Sequence, residues 1–332
     1  MNKKHENSAC CRAIIIKYGK RRKQCTLCKR TWSVWKRKRG RKLKRIKIDF
    51  IKTFLHHDIA SLSSLSKKQK CSKSTLQKRL GRSRELFIKN ESWPSIPNGE
   101  LILIADGVVE LIEKKWRTVY LMLVRGMNTN EAIILPPFFR CGTETALGWK
   151  MAIDTIPKDI LMRIRAIVCD GHVGLTTEAK WRAFFLQRCH FHLLARIQSR
   201  RSRWRIGRHK REAQLIFKHA NIVLKCLDEK MVYDSVCVLD EIGWTSTSPE
   251  IRKTLSGFVK NYRDYRTYLK HPELNLPTTN NTAESLAGMI ASLKHRLKGF
   301  PTLKSFTEWI IALLKFKKKI KCNGFYQQNF VA

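Results

Sequence analysis

A chain of 332 residues is long enough for a sizeable core and more than one domain, and its 43% hydrophobic content is that of an ordinary globular protein. Its 67 Lys and Arg against 26 Asp and Glu leave a formal charge of +41, a surface that requires a polyanion, nucleic acid above all. No apolar run approaches the ~20 residues of a membrane span. Met1–Ala13 has no long apolar region ahead of a cleavage site, so secretion is not expected. Eleven cysteines, an odd number in a long chain, do not suggest a disulfide scaffold; a reducing, cytoplasmic setting is expected, with Cys169 and Cys226 as core thiols.

In chain order, residues 1–50 hold 19 Lys and Arg and only two acids, Glu6 and Asp49. The run Lys36–Lys47 is basic at nine of twelve positions and cannot pack without a partner anion. It is expected to be a DNA-contacting arm, with Lys36, Arg37, Lys38, Arg39, Arg41 and Lys42 at its head; the alternative is a solvated tail. From Ile51 to Phe87, Leu62, Leu65, Leu76 and Leu80 fall near helical spacing, which predicts two short helices with a tight join. Ser72 or Ser74 would cap the second helix. Read as a helix-turn-helix, that helix presents Lys73, Thr75, Lys78 and Arg79 to phosphates and base edges; a plain helical hairpin is the competing reading.

Glu91-Ser-Trp-Pro-Ser-Ile-Pro-Asn-Gly99 marks a boundary. Beyond it Leu101–Ala105 is a short continuous apolar run, the pattern of a buried strand. Trp116–Val124, Ala132–Leu135, Ile164–Cys169 and Phe184–Arg188 follow as strands, with a helix over Ala146–Ile153. Helical patterns dominate from Arg205 to Leu269, and Glu284–Arg296 and Ser305–Lys319 close the chain as helices. The expectation is an α/β protein whose mixed sheet is interrupted by a long helical stretch.

Two acids share one local design. Asp106 ends Leu101-Ile-Leu-Ile-Ala-Asp-Gly107, and Asp170 ends Ile164-Arg-Ala-Ile-Val-Cys-Asp-Gly171. A carboxylate just past a buried strand sits at a sheet edge where ligands gather, and the glycine permits a sharp turn. Asp-Gly is also ordinary turn chemistry, but two copies after strong strands favour a site. Carboxylates in pairs or triads suit hard Mg²⁺ and the phosphodiester chemistry it supports. Glu284, in Pro277-Thr-Thr-Asn-Asn-Thr-Ala-Glu284-Ser, is the third acid, although Asn281-x-x-Glu284 equally matches a helix capping box.

Ala-Asp106-Gly, Cys-Asp170-Gly-His-Val-Gly, Gln-Arg-Cys189-His-Phe-His192-Leu-Leu and Thr-Thr-Asn-Asn-Thr-Ala-Glu284-Ser together resemble the Mutator-like transposases and related bacterial insertion-sequence DDE transposases. The likeness covers roughly residues 100–300, and its order, Asp, Asp, Cys-x-x-His, Glu, is the family's. It implies a ribonuclease-H-like core with an all-helical insertion between the second Asp and the Glu, here separated by 113 residues. It implies Asp106, Asp170 and Glu284 as catalytic ligands of Mg²⁺ or Mn²⁺, and Cys189 and His192 as an accessory pair near them. The competing reading of that pair is a structural thiol and a satisfied histidine on one helical face, and Cys-x-x-His alone does not make a four-ligand zinc site. The resemblance extends to the start of the chain, where related bacterial transposases carry a zinc ribbon. Cys25-Thr-Leu-Cys28 supplies the second knuckle and Ile-Lys-Tyr-Gly19-Lys-Arg-Arg the hairpin, whereas the first knuckle is degraded. Zn²⁺ there would take two further ligands from His5, Cys10 and Cys11, with His5 and one cysteine, Cys10 or Cys11, preferred.

The resulting division is a zinc-ribbon-like segment over 1–50, a helix-turn-helix over 51–92, the core over 93–204 and 277–332, and the helical insertion over 205–276. The expected function is DNA transposition. Element ends are cleaved with metal assistance, the freed 3′-hydroxyl attacks target DNA, and the protein acts as a homo-oligomer on terminal inverted repeats in a bacterial cytoplasm, associated with the nucleoid. The alternatives are a non-catalytic DNA-binding protein derived from a transposase, and a nuclease of the same fold that cuts without joining.

Overall fold

The computed structural model describes residues 13–20, 22–33, 49–56, 61–203 and 210–322. The chain divides into two compact units, Met1–Ile46 and Lys47–Ala332. The first contains an antiparallel sheet of β1 (Ile15–Tyr18), β2 (Arg22–Cys25) and β3 (Thr31–Ser33). Gly19, at φ +73°, lies in the turn between β1 and β2, a conformation glycine adopts without cost. After β2 the chain reverses through Thr26–Arg30. The Lys29 amide donates to the Cys25 carbonyl (3.1 Å) and the Cys25 amide to the Arg30 carbonyl (3.0 Å). Cys25 is buried and Cys28 exposed. His5, Cys10 and Cys11 lie outside the described residues, as does the basic arm with Lys36, Arg37, Lys38, Arg39, Arg41 and Lys42.

The second unit opens with three helices, α1 (Asp49–His56), α2 (Leu62–Lys68) and α3 (Lys73–Asn90). The tight join between α2 and α3 is as the leucine spacing predicts. Ser61 and Ser72 are the caps: the Ser72 hydroxyl accepts from the Thr75 amide at 3.2 Å, so Ser72 rather than Ser74 starts α3. Lys73, Thr75, Lys78 and Arg79 are exposed, while Leu76, Leu80 and Phe87 are buried.

Next come β4 (Leu101–Ile112), β5 (Lys115–Gly126), β6 (Glu131–Ile134) and β7 (Phe138–Cys141), then α4 (Ala146–Asp154), α5 (Lys158–Leu161), β8 (Ile164–Cys169), α6 (Val173–Trp181) and β9 (Phe185–Arg188). A helical layer follows: α7 (His190–Arg203), α8 (Lys210–Lys225), α9 (Glu229–Thr245), α10 (Pro249–Asn261) and the single turn α11 (Thr267–Lys270). The chain ends through α12 (Asn281–Leu297), α13 (Leu303–Lys317) and β10 (Lys319–Lys321). The seven-stranded sheet has the order β10-β6-β5-β4-β8-β9, with β7 also on β5. β4 pairs parallel with β8, and β8 parallel with β9; the remaining pairs are antiparallel.

Side chains alternate faces along a strand, and β4 divides its residues accordingly. Ile102 and Ile104 join Leu121, Leu123, Ala166 and Val168 in one cluster, covered by α12, α13 and α1–α3. Leu101, Leu103 and Ala105 join Tyr120, Met122, Ile167 and Cys169 in a second, covered by α4 and α6. Burial on both faces explains the apolar runs Leu101–Ala105 of β4 and Ala166–Cys169 of β8. A third cluster, which includes Leu193, Ile197, Ile216, Leu224, Leu239, Leu255 and Phe258, holds the helical layer together.

Three expectations shift. β4 does not end at Asp106; it continues to Ile112 and turns into β5 through Glu113 and Lys114, at φ 50° and 61°. Two consecutive left-handed residues make the tight twisted turn a hairpin needs, usually written Asn-Gly. The helical layer begins with α7, whose Leu193 and Ile197 belong to its core, and the chain is back in the sheet's cluster by Leu274 and Leu276. The segment 51–92 is no separate body: Ile51, Phe54, Leu76 and Phe87 share a cluster with the sheet. Polar contacts reinforce that docking. Arg84 pairs with Glu308 beside Trp309, Arg296 donates to the Phe54 carbonyl (2.8 Å), and the Lys315 ammonium donates to the carbonyls of Ile88 (2.8 Å) and Glu91 (2.6 Å).

Candidate active site

Asp106 lies in the middle of β4, on the same side of the strand as Ile102 and Ile104, the side covered by α12. Its neighbour Gly107 is therefore not a turn residue. A Cβ at position 107 would lie 2.8 Å from the Glu144 carboxyl carbon, so the glycine admits that acid against the strand. Glu144 precedes Thr145, the cap of α4. The Trp149 indole donates to its Oε1 at 2.5 Å, and His172 Nδ1 stands 3.7 Å from the same oxygen. Nothing in the sequence singles Glu144 out: it stands in Cys141-Gly-Thr-Glu144 with no partner at helical or strand spacing, and only the packing of α4 on the sheet brings it in.

Asp170 meets the expectation. It follows β8, Gly171 turns at φ +90°, and Asp170 Oδ1 accepts from the His172 amide at 2.8 Å. His172 then caps α6, its Nδ1 accepting from the Gly174 amide (3.0 Å). β4 and β8 run parallel and adjacent, so the two aspartates sit on neighbouring central strands.

Glu284 is in the first turn of α12, but no capping box forms: Asn280 is the cap residue and makes no side-chain cap hydrogen bond. The Glu284 carboxylate instead faces the start of α7. Its Oε1 lies 3.2 Å from His192 Nδ1, close enough for an ion pair but without the alignment of a hydrogen bond, and the Cys189 thiol approaches at 3.9 Å. Cys189 is held by its own amide, which donates to the Cys169 carbonyl (2.8 Å), and its sulfur accepts from the Asn280 amide (3.3 Å). One ligand atom each from Cys189, His192 and Glu284 lies within 4.8 Å of the others, a cluster that could hold a metal ion. The accessory pair and the third acid are thus in contact, although 95 residues separate Cys189 from Glu284.

The acids feel one another. Burial, then the charge of Asp170, and then those of Glu144 and Glu284, push the Asp106 carboxyl up to about 7 against the pull of the Gly107 amide. Glu284 is also raised, by burial and the Asp170 charge, against the pull of His192. Burial pushes the Cys189 thiol up to about 11 and the Cys169 thiol to about 12. His190 is different in kind. It is buried, its Nε2 donates to the Tyr265 carbonyl at 2.7 Å, and burial lowers it to about 4, so it is a neutral tie between the start of α7 and Tyr265.

No family model matches the chain, and no curated protein matches it. Among the described residues, no helix is long and apolar enough to cross a membrane. The α/β architecture and the cluster of carboxylates, thiol and imidazole are therefore the basis for a functional reading.

Proposed function

We propose that the chain is a DDE-type DNA transposase with a ribonuclease-H-like core, in which Asp106, Asp170 and Glu284 hold Mg²⁺ or Mn²⁺. One observation carries the reading. In a protein of charge +41, carboxylates are gathered from a central strand, its parallel neighbour and a helix packed on the sheet, near enough for Asp170 to raise both others. Assembling like charges is costly, and a protein retains such a group where cations and phosphates meet. The sheet supports it: three antiparallel strands, β6, β5 and β4, continue into the parallel β8 and β9, with helices on both faces. The helical layer inserted between Asp170 and Glu284 supports it too.

The donor set fits the metal, since three carboxylates supply only hard oxygen ligands. A divalent ion there supplies charge neutralisation at the scissile phosphodiester and a more acidic bound water. The chain's own part is to orient. The His172 amide fixes the Asp170 carboxylate and the Gly107 amide fixes Asp106, each through one oxygen, Oδ1. Exposed Lys73, Thr75, Lys78 and Arg79 on α3 bind the DNA backbone and base edges, and the basic N-terminal residues add sequence-independent affinity. Terminal repeats and target DNA are the partners.

The test is cleavage and strand joining on DNA carrying the inverted repeats that flank the coding region. Wild type should cut with Mg²⁺ or Mn²⁺ and join the freed 3′ end. Asp106→Ala and Asp170→Ala should lose both by at least ~10³-fold while still binding DNA. Binding without cleavage by wild type under either metal would favour a non-catalytic DNA-binding protein, and cleavage without joining a nuclease.

A further inference from the structure

Among the described residues, the ligand atoms that converge most closely are not the three acids but a thiol, an imidazole and a carboxylate. Cys189, His192 and Glu284 are held within 4.8 Å of one another by three separate elements, the end of β9, the first turn of α7 and the first turn of α12. Mg²⁺ takes oxygen ligands and has no use for a thiolate or an imidazole. Sulfur and nitrogen with one carboxylate are the ligands of Zn²⁺, and three protein ligands with an open fourth position are a zinc arrangement. Charge agrees: a thiolate, a neutral imidazole and a carboxylate balance one divalent ion.

Two further features fit an ion here. His192 Nδ1 is buried against Glu284 without a hydrogen bond, so the lone pair or proton that faces the cluster is unused by the protein. Asn280, whose amide already donates to the Cys189 sulfur, is fully buried, and its side-chain oxygen and nitrogen have no hydrogen-bond partner among the described residues. Buried polar groups of that kind are normally satisfied, often by an ordered water such as a metal carries.

We propose that Cys189, His192 and Glu284 form a zinc site that shares Glu284 with the Mg²⁺ site, so that zinc occupancy withdraws Glu284 from the catalytic carboxylates. The sharing rests on the reading of Glu284 as a catalytic ligand; the zinc site itself does not. Binding replaces the Cys189 S–H bond with S–Zn and releases one proton to solvent, with no change of oxidation state. The buried thiol then becomes a ligand instead of an inert core group, and Glu284 Oε1 is held where it already lies, against Cys189 and His192.

Cobalt reports on this directly, because a cysteine thiolate bound to Co²⁺ gives a charge-transfer band in the near ultraviolet. Full-length protein carrying Cys25→Ser and Cys28→Ser, which removes the N-terminal knuckle thiols, is titrated with Co²⁺ and then Zn²⁺. The expected result is about one equivalent of thiolate-bound cobalt, displaced by zinc. Cys189→Ser should abolish the band, and His192→Ala should weaken cobalt binding at least ~10-fold. If the background variant misfolds by circular dichroism, the same comparison is made as a difference between wild type and Cys189→Ser. A folded protein without the band, or with a band that survives Cys189→Ser, overturns the site. Competition is read separately by Mn²⁺ electron paramagnetic resonance: zinc-loaded protein should bind Mn²⁺ at least ~10-fold more weakly than zinc-free protein. Unchanged Mn²⁺ binding overturns the sharing. Loss of Mn²⁺ binding from the zinc-free protein as well would instead remove the transposase reading, while the cobalt result stands.

Discussion

At the scale of single residues, Asp106 carries a heavy electrostatic burden. Its carboxyl is raised from 3.8 to about 7 by burial and by its acidic neighbours. A carboxyl raised in the folded state stabilises the fold below its unfolded value and costs stability progressively as pH rises toward its folded value. For Asp106 the loss runs from about pH 4 to about pH 7 in metal-free protein. Asp106→Asn should therefore raise stability in EDTA at pH 8, by about 2 kcal/mol, and change it little at pH 4. Urea unfolding at the two pH values checks this; equal effects at both would mean the carboxyl is ionised without penalty. The same variant should be inactive, which separates stability from catalysis. Glu284→Gln asks a different question. An amide keeps the size and polarity of the side chain, but it neither pairs with His192 nor binds a hard cation well, so cleavage should fall at least ~100-fold with little change in thermal stability. Full activity would mean that the Glu284 carboxylate is not a metal ligand.

At the scale of elements, the β4–β5 hairpin shows what local chemistry concealed. Asp106-Gly107 has the composition of a turn, yet the residues pair with Leu121 and Tyr120 in the middle of a twelve-residue strand, and the real turn is at Glu113-Lys114, which carries no turn signature. Both turn residues have positive φ, which costs a non-glycine residue. Glu113→Asn with Lys114→Gly should stabilise the protein by roughly 1 kcal/mol, seen as a higher urea midpoint at unchanged slope. Destabilisation would mean that the side chains of the turn contribute contacts that outweigh its strain. Other elements were legible because burial wrote them plainly. Ile164–Cys169 was readable to the residue, since β8 is covered on both faces, and the α2–α3 join followed from leucine spacing and a serine cap. The short strands β7 and β10 lack such runs and are specified by their neighbours on β5 and β6. In the cluster, Asp170 is legible from strand-Asp-Gly, and Cys189, His192 and Glu284 from their resemblance to the family's order of motifs. Glu144 was not legible, because its place depends on a missing Cβ at Gly107 in another element. The Cys189–Glu284 approach was not legible either, since no spacing rule links residues 95 apart.

At the scale of the whole molecule, charge is the governing quantity, and it is distributed unequally. The nine basic residues of Lys36–Lys47 lie in a stretch with no acid, and α3 displays Lys73, Lys78 and Arg79 on its exposed side while its apolar side is spent on the sheet cluster. Because α3 packs in the same compact unit as the carboxylates, DNA bound to α3 as proposed would be held in one frame with them. Each Lys or Arg that neutralises a phosphate releases condensed counterions, and the logarithm of affinity falls with the logarithm of salt by about 0.9 per contact. Lys78→Ala or Arg79→Ala should therefore reduce that slope by about 1 each. Thr75→Ala, which removes no charge, should leave the slope and alter only sequence preference. Removing residues 1–46 should flatten the slope far more, by up to about 7 if all eight charges of the dense run that it removes meet a phosphate. Fluorescence anisotropy with labelled duplex between about 50 and 200 mM salt spans the range in which such contacts change affinity by orders of magnitude. An unchanged slope in the truncated protein would mean that the arm does not touch DNA and that its charge serves solubility. An unchanged slope in the α3 variants with a flattened one in the truncation would confine DNA contact to the N-terminal unit, and α3 would then be a helical hairpin that serves the core alone.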